Sequence, residues 1–136
     1  MSKDWCHDIA MMHEHYKVND VVEKMDKETL RKFLDFRIKF LHEELDELGF
    51  ADNPEDVVDA LIDLCVVAIG TLDSFGVDSY AAWDEVLKAN MAKKTGVKET
   101  RPNPLGLPDL IKPEGWVGPD HSGNVGLVSK IFKEKD

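Results

Sequence analysis

The chain has 136 residues, of which 27 are acidic and 17 basic, for a formal net charge of -10. This length suits one domain that can bury a core without staples. The acidic balance opposes binding to a nucleic-acid duplex or an anionic membrane.

Residues 1–16 are acidic, His-rich and broken by charge, unlike the basic start and apolar run of a signal peptide. Trp5, Ile9, Met12 and Tyr16 recur at spacings of three and four, which predicts a first helix over residues 4–16 with His13 beside the stripe. Asp26 caps a second helix over residues 27–48, with Leu30, Phe33, Leu34, Ile38, Leu41, Leu45 and Leu48 on its apolar side and Gly49 as its stop. Asn53-Pro54-Glu55-Asp56 combines a capping side chain, a proline at the first helical position and first-turn acids, so a third helix starts there and runs to Ser74. Its apolar character between Ala60 and Leu72 predicts a buried central element.

Gly76 breaks that helix, and residues 80–93 read as a fourth, with Ala81, Val86, Leu87 and Met91 buried. From Gly96 onward Pro102, Pro104, Pro108, Pro113 and Pro119, with frequent glycines, exclude regular helix over most of the tail, and a short helix or strand near residues 125–132 closes it. The longest apolar run, residues 64–70, falls far short of the roughly 20 residues of a membrane span. Cys6 and Cys65 lack CxxC spacing, which argues against a zinc site or disulfide framework and makes a reducing cytoplasm the expected location. The predicted architecture is all-α: a four-to-five-helix bundle over residues 1–95 with a Pro/Gly-rich extension over residues 96–136.

The chemistry lies in two acidic elements. Glu43-Glu44-Leu45-Asp46-Glu47 puts Glu44 and Glu47 three apart, and Asp59 and Asp63 are four apart on the next helix, so each helix offers two carboxylates on one face. A single acidic run is usually a solvated helix face. The second pair changes the reading, because Asp59 and Asp63 interrupt the apolar residues 57–66, where unpartnered carboxylates are costly. Two facing pairs suit hard cations such as Mg²⁺ or Mn²⁺, whose shells substrate phosphates complete. Asp56, at the third helical position, is read as a capping residue.

Asn90, Lys93 and Lys94 close the fourth helix. They either complement its dipole or hold phosphate oxygens beside a metal cage. Arg37 and Phe40 precede Glu44 by seven and four residues and share its face. A diiron or dimanganese carboxylate site is disfavoured because the required Glu-x-x-His pattern is missing. A non-enzymatic acidic module that binds a basic partner remains the alternative; it accounts for the charge but not for two aspartates in an apolar helix.

Together these residues resemble the all-alpha nucleoside triphosphate pyrophosphohydrolases, the MazG-like superfamily that includes phosphoribosyl-ATP pyrophosphohydrolase and the helical dCTP and dUTP pyrophosphatases. The likeness runs over residues 12–93: the Met12-His13-Glu14-His15-Tyr16 segment, the EExxE element at Glu43–Glu47, the Gly76-Val77-Asp78 turn and Asn90-Met91-Ala92-Lys93. The second acidic element departs from the family's ExxD, since Ala60 stands where a glutamate belongs before Asp63; either Asp59 substitutes for it, or Asp56 and Asp59 form the motif.

The resemblance implies a homodimer or homotetramer that hydrolyses a nucleoside triphosphate between the alpha and beta phosphates, with two or three Mg²⁺ or Mn²⁺ ions. Glu44, Glu47, Asp59 and Asp63 would be ligands and Glu43 or Glu47 the water-positioning group. Asn90, Lys93 and Lys94 would hold phosphates, and His13 would contact the base, with Ile9, Arg37 and Phe40 lining its pocket. The tail resembles that of small bacterial and phage members, and the superfamily contains both sanitising enzymes and enzymes with a second role, the supply of monophosphates for modified DNA. A purine deoxynucleotide such as dGTP fits that role.

Overall fold

The structure is a computed structural model that describes residues 3–98 and 105–132; Pro102 and Pro104 lie outside the described residues. The described chain is all-α, with six helices and one two-stranded sheet. It forms two compact units, Met1–Ser79 with Asn124–Asp136, and Tyr80–Gly123.

In the first unit, the Asp4 carboxylate accepts the His7 N–H at 3.0 Å and starts α1 (Trp5–His15). Lys17 turns the chain at φ 61° into α2 (Val18–Glu23). Periodicity does not reveal this helix, since six residues hold less than two turns. Asp26 accepts the Thr29 N–H at 2.8 Å to open α3 (Lys27–Phe50), and that bond holds its carboxyl below the ordinary range. Asn53 accepts the Asp56 N–H at 2.9 Å to open α4 (Pro54–Ser74), while its own amide donates to the Asp56 carboxylate at 2.7 Å. Asp56 thus takes the capping role.

Helices α3 and α4 form the principal packed pair; α1 and α2 lie on α4. Val22, Leu30, Phe75 and Ile131 make the buried cluster, with Phe33 and Phe75 in ring contact at 5.5 Å. Burying each such side chain contributes about 1.5–3 kcal/mol. The chain's end closes this core. Asn124 exchanges two 2.8 Å hydrogen bonds with the Asp78 backbone, Leu127 N–H donates to the Phe75 carbonyl at 2.7 Å, and α6 (Val128–Ile131) packs on α3.

The second unit contains most of α5 (Ser79–Met91), then β1 (Lys94–Gly96) and β2 (Asp109–Ile111), which pair antiparallel with Lys94 opposite Ile111. Trp116 Nε1–H donates to the Ala89 carbonyl at 2.8 Å and fastens the following loop to α5. Among the described residues, no single helix is long and apolar enough to cross a membrane.

Several expectations need correction. Gly49 does not stop α3; a Cβ there would meet nothing, and the helix continues to Phe50 before Ala51 turns extended. On α1 the buried residues are Ile9 and His13, while Trp5, Met12 and Tyr16 are exposed. Ile38 and Leu45 on α3 are exposed as well. Helix α4 buries Ala60, Val67, Gly70 and Ser74 but exposes Val58, Leu61, Ile62 and Leu72, so it is covered on one side rather than all round. On α5 Ala89 is buried, whereas Ala81, Val86, Leu87 and Met91 are exposed. Periodicity marks an apolar stripe but not whether the same chain supplies its cover.

Two glycines should respond oppositely to alanine. At Gly126 φ is 51°, and a Cβ would collide with the Phe75 carbonyl oxygen, so Gly126→Ala should lower stability by about 1–3 kcal/mol. Gly49→Ala, in open helix, should raise it by about 0.5–1 kcal/mol. Urea denaturation midpoints of the two variants would check both signs.

Candidate metal centre and its surroundings

The carboxylates converge where α3 and α4 pack. Glu47 follows Glu44 at the third position, which keeps both on one face of α3, and Asp63 reaches them from α4. One carboxylate oxygen from each of Glu44, Glu47 and Asp63 lies within 4.8 Å of the others. Glu44 is 9% exposed, Asp63 half-buried and Glu47 exposed, so the cluster grades from protein interior to solvent.

Glu44 carries the largest physical conflict in this cluster. Its Oε2 is buried without a hydrogen-bond partner. Burial first, then the charges of Glu47, Asp63 and Asp59 and a hydrogen bond with Glu47, raise its carboxyl above the ordinary glutamate range. A divalent cation would satisfy the orphaned oxygen and offset the repulsion, and an all-oxygen donor set suits a hard ion. The residues present therefore fit the metal that the acidic pattern implies.

Asp59 stands differently from the other three expected ligands. It lies outside the tight cluster, and like Glu47 it is exposed, so the argument from burial does not hold for it. It does line an open cleft with Glu47, Phe50, Ala51, Asp56 and Ala60. Glu43 is exposed on α3. The burial of Glu44 is what sequence reading missed; its signal was the position of Glu44 in the helical stripe between Leu41 and Leu48.

Farther along α4, His13, Arg37 and Gly70 converge. His13 is 5% exposed, and its Nδ1 lies 2.9 Å from Asp73 Oδ2, which also accepts from Asn19 Nδ2 at 3.0 Å. With the carboxylate as acceptor, Nδ1 carries the proton. Arg37 Nε–H donates to Thr71 Oγ1 at 2.8 Å and its Nη2 to the Val67 carbonyl at 2.9 Å, with the guanidinium 5.7 Å from the Phe40 ring. Burial lowers its pKa. A Cβ on Gly70 would stand 2.7 Å from Arg37 Nη2 and 3.2 Å from the His13 ring, so glycine is what lets both side chains cross α4. Asp73, Asn19 and Gly70 were not singled out from sequence; a glycine followed three residues later by an aspartate inside an apolar helix was the available sign. Ile9 is buried and Phe40 half-buried in the same unit.

The expected phosphate-binding residues belong to the second unit. Asn90 is exposed near the end of α5, Lys93 lies half-buried with its ammonium 5.3 Å from the Trp116 ring centroid, and Lys94 opens β1.

No curated protein matches the sequence. The family model of phosphoribosyl-ATP pyrophosphohydrolase matches residues 12–90, a span that holds both acidic elements and the whole of α3 and α4. The chain belongs to the phosphoribosyl-ATP pyrophosphohydrolase family, within the MazG-like all-alpha nucleoside triphosphate pyrophosphohydrolase superfamily.

Proposed function

We propose that the protein hydrolyses a nucleoside triphosphate to the monophosphate and pyrophosphate, using divalent cations held by Glu44, Glu47 and Asp63, with Asp59 as a fourth ligand. The observation that supports this most directly is the meeting of three carboxylates around a buried, unpartnered Glu44 oxygen in a member of a pyrophosphohydrolase family. When bound, two or three Mg²⁺ or Mn²⁺ ions neutralise phosphate charge and acidify water.

The chain's own residues then have separate tasks. Glu43 or Glu47 orients a water and takes its proton as the water oxygen bonds to the alpha phosphorus. The bond from that phosphorus to the bridging oxygen breaks, and pyrophosphate leaves with the electron pair. Asn90, Lys93 and Lys94 are assigned to phosphate oxygens. Arg37 and Phe40, with His13 and Ile9, are assigned to the base, and a purine deoxynucleotide such as dGTP is the favoured substrate. Exposed Phe36, Phe50, Val58, Leu61 and Ile62 support assembly as a homodimer or homotetramer. An acidic interaction module would leave the buried Glu44 oxygen without an explanation.

Pyrophosphate release from a panel of ribo- and deoxynucleoside triphosphates in Mg²⁺ and Mn²⁺ tests the reaction and its base preference. Glu47→Ala and Asp63→Ala should each lower kcat/KM by at least about a hundredfold, since loss even of outer-shell partners costs 10–100-fold, with helical circular dichroism retained. Activity preserved in both variants would remove the cage from the mechanism.

Glu44 also makes a prediction on stability. Because its folded-state pKa is raised, the folded chain binds that proton more tightly than the unfolded chain, and metal-free stability falls as pH climbs from the ordinary carboxylate range through the raised value. In EDTA at neutral pH, Glu44→Gln should melt above the parent, and the difference should shrink on acidification. Mn²⁺ should raise the Tm of the parent more than that of Glu44→Gln. Thermal melts over a pH series would check the sign; a parent more stable than the variant in EDTA would contradict it.

A further inference from the structure

The second unit brings two positive charges to one aromatic ring. Strands β1 and β2 set Lys94 opposite Ile111 and Gly96 opposite Asp109, and Lys93 and Lys112 are the residues that flank the outer pair. Both ammonium groups lie over one indole ring, at 5.3 Å for Lys93 and 5.0 Å for Lys112 from the Trp116 centroid. They are therefore within about 10 Å of one another, and among the described residues neither is paired with a carboxylate.

The indole is held in place for this arrangement. Its Nε1–H donates to the Ala89 carbonyl at 2.8 Å, a turn with Gly115 at φ 75° links Trp116 N–H to the Pro113 carbonyl at 3.1 Å, and Gly118 lies against the ring. The cleft beside Trp116 is lined by Glu85, Glu114 and Asp120 along with Lys88; neither Lys93 nor Lys112 lines it. In a chain with ten more acids than bases, two lysines without a carboxylate partner among the described residues come to the same indole ring. Cation–π contact alone contributes too little to reward that convergence.

We propose that Lys112, from the C-terminal extension, joins Lys93 over Trp116 to form a binding site for a multiply charged oxyanion of the pyrophosphate class. Lysine ammonium groups act on phosphate as mobile point charges, and two of them match an anion that carries charge at both ends. Identifying that anion as the polyphosphate portion of substrate or product rests on the function proposed above.

Calorimetry with inorganic pyrophosphate in EDTA isolates this site from the metal cage. The parent chain should bind, Lys112→Met should weaken binding by about tenfold or more, and Lys112→Arg should restore most of it. Lys88→Met removes the same charge from the same unit and should bind as the parent does; circular dichroism controls for folding. A parent that gives no heat, a Lys112→Met that binds normally, or a Lys88→Met equally impaired would overturn the proposal. Glu47→Ala, expected to be inactive, should still bind pyrophosphate. If it and Asp63→Ala both proved active, the cage would be refuted while the lysine site stood; normal binding by Lys112→Met would have the reverse meaning.

Discussion

A carboxylate withdrawn from water beside other carboxylates is the constraint on which the first unit turns. Glu44 lies on α3 between the half-buried Leu41 and Leu48 and is itself buried, whereas Glu43 and Glu47 are exposed. The ordinary remedies for a buried acid are a basic partner or a full set of donors; here one oxygen has neither, and the nearest charged groups are acids. That conflict is tolerable if a cation is the intended partner. The metal-free chain is correspondingly strained electrostatically, as sites built for binding often are.

Rigid supports surround this conflict. Both ends of the α3–α4 connection are defined by local chemistry, since α3 gives way at Ala51 and Asn53 caps α4 almost at once, which sets the relative positions of Glu44, Glu47 and Asp63. At the other end of α4, Asp73 ties His13 and Asn19 to the helix while Arg37 crosses it over Gly70. These polar contacts join α1, α2 and α3 to α4 through directional bonds rather than apolar area. Buried hydrogen-bonded networks of this kind specify one packing among several that would bury similar area.

The small buried core of the first unit contrasts with its many exposed aliphatic side chains. Val22, Leu30, Phe75 and Ile131 are sealed by the returning C-terminal segment, whereas apolar residues on α3 and α4 stay open to solvent. Such an amount of open apolar surface on a short chain is the physical argument for further association. The Pro/Gly-rich extension also does structural work in both units: Asn124 to Ile131 completes the core of the first, and Trp116 fastens the second.

The sequence by itself determined where α3 and α4 begin, because capping is local: Asp26 and Asn53 each bond a backbone N–H three residues on, as read from residue type and spacing. It also determined that Glu44, Glu47 and Asp63 could meet, since helical periodicity sets faces and the intervening turn is short. Only the tertiary structure decided which acids do meet and which are desolvated. Asp59 seemed enclosed by its apolar neighbours in sequence, but neighbours along a helix point in different directions, and burial depends on what another segment lays over that face. For the same reason the stripes of α4 and α5 were legible while their exposure was not, and the approach of Lys93 and Lys112 to one indole emerged only when segments distant in sequence were packed together.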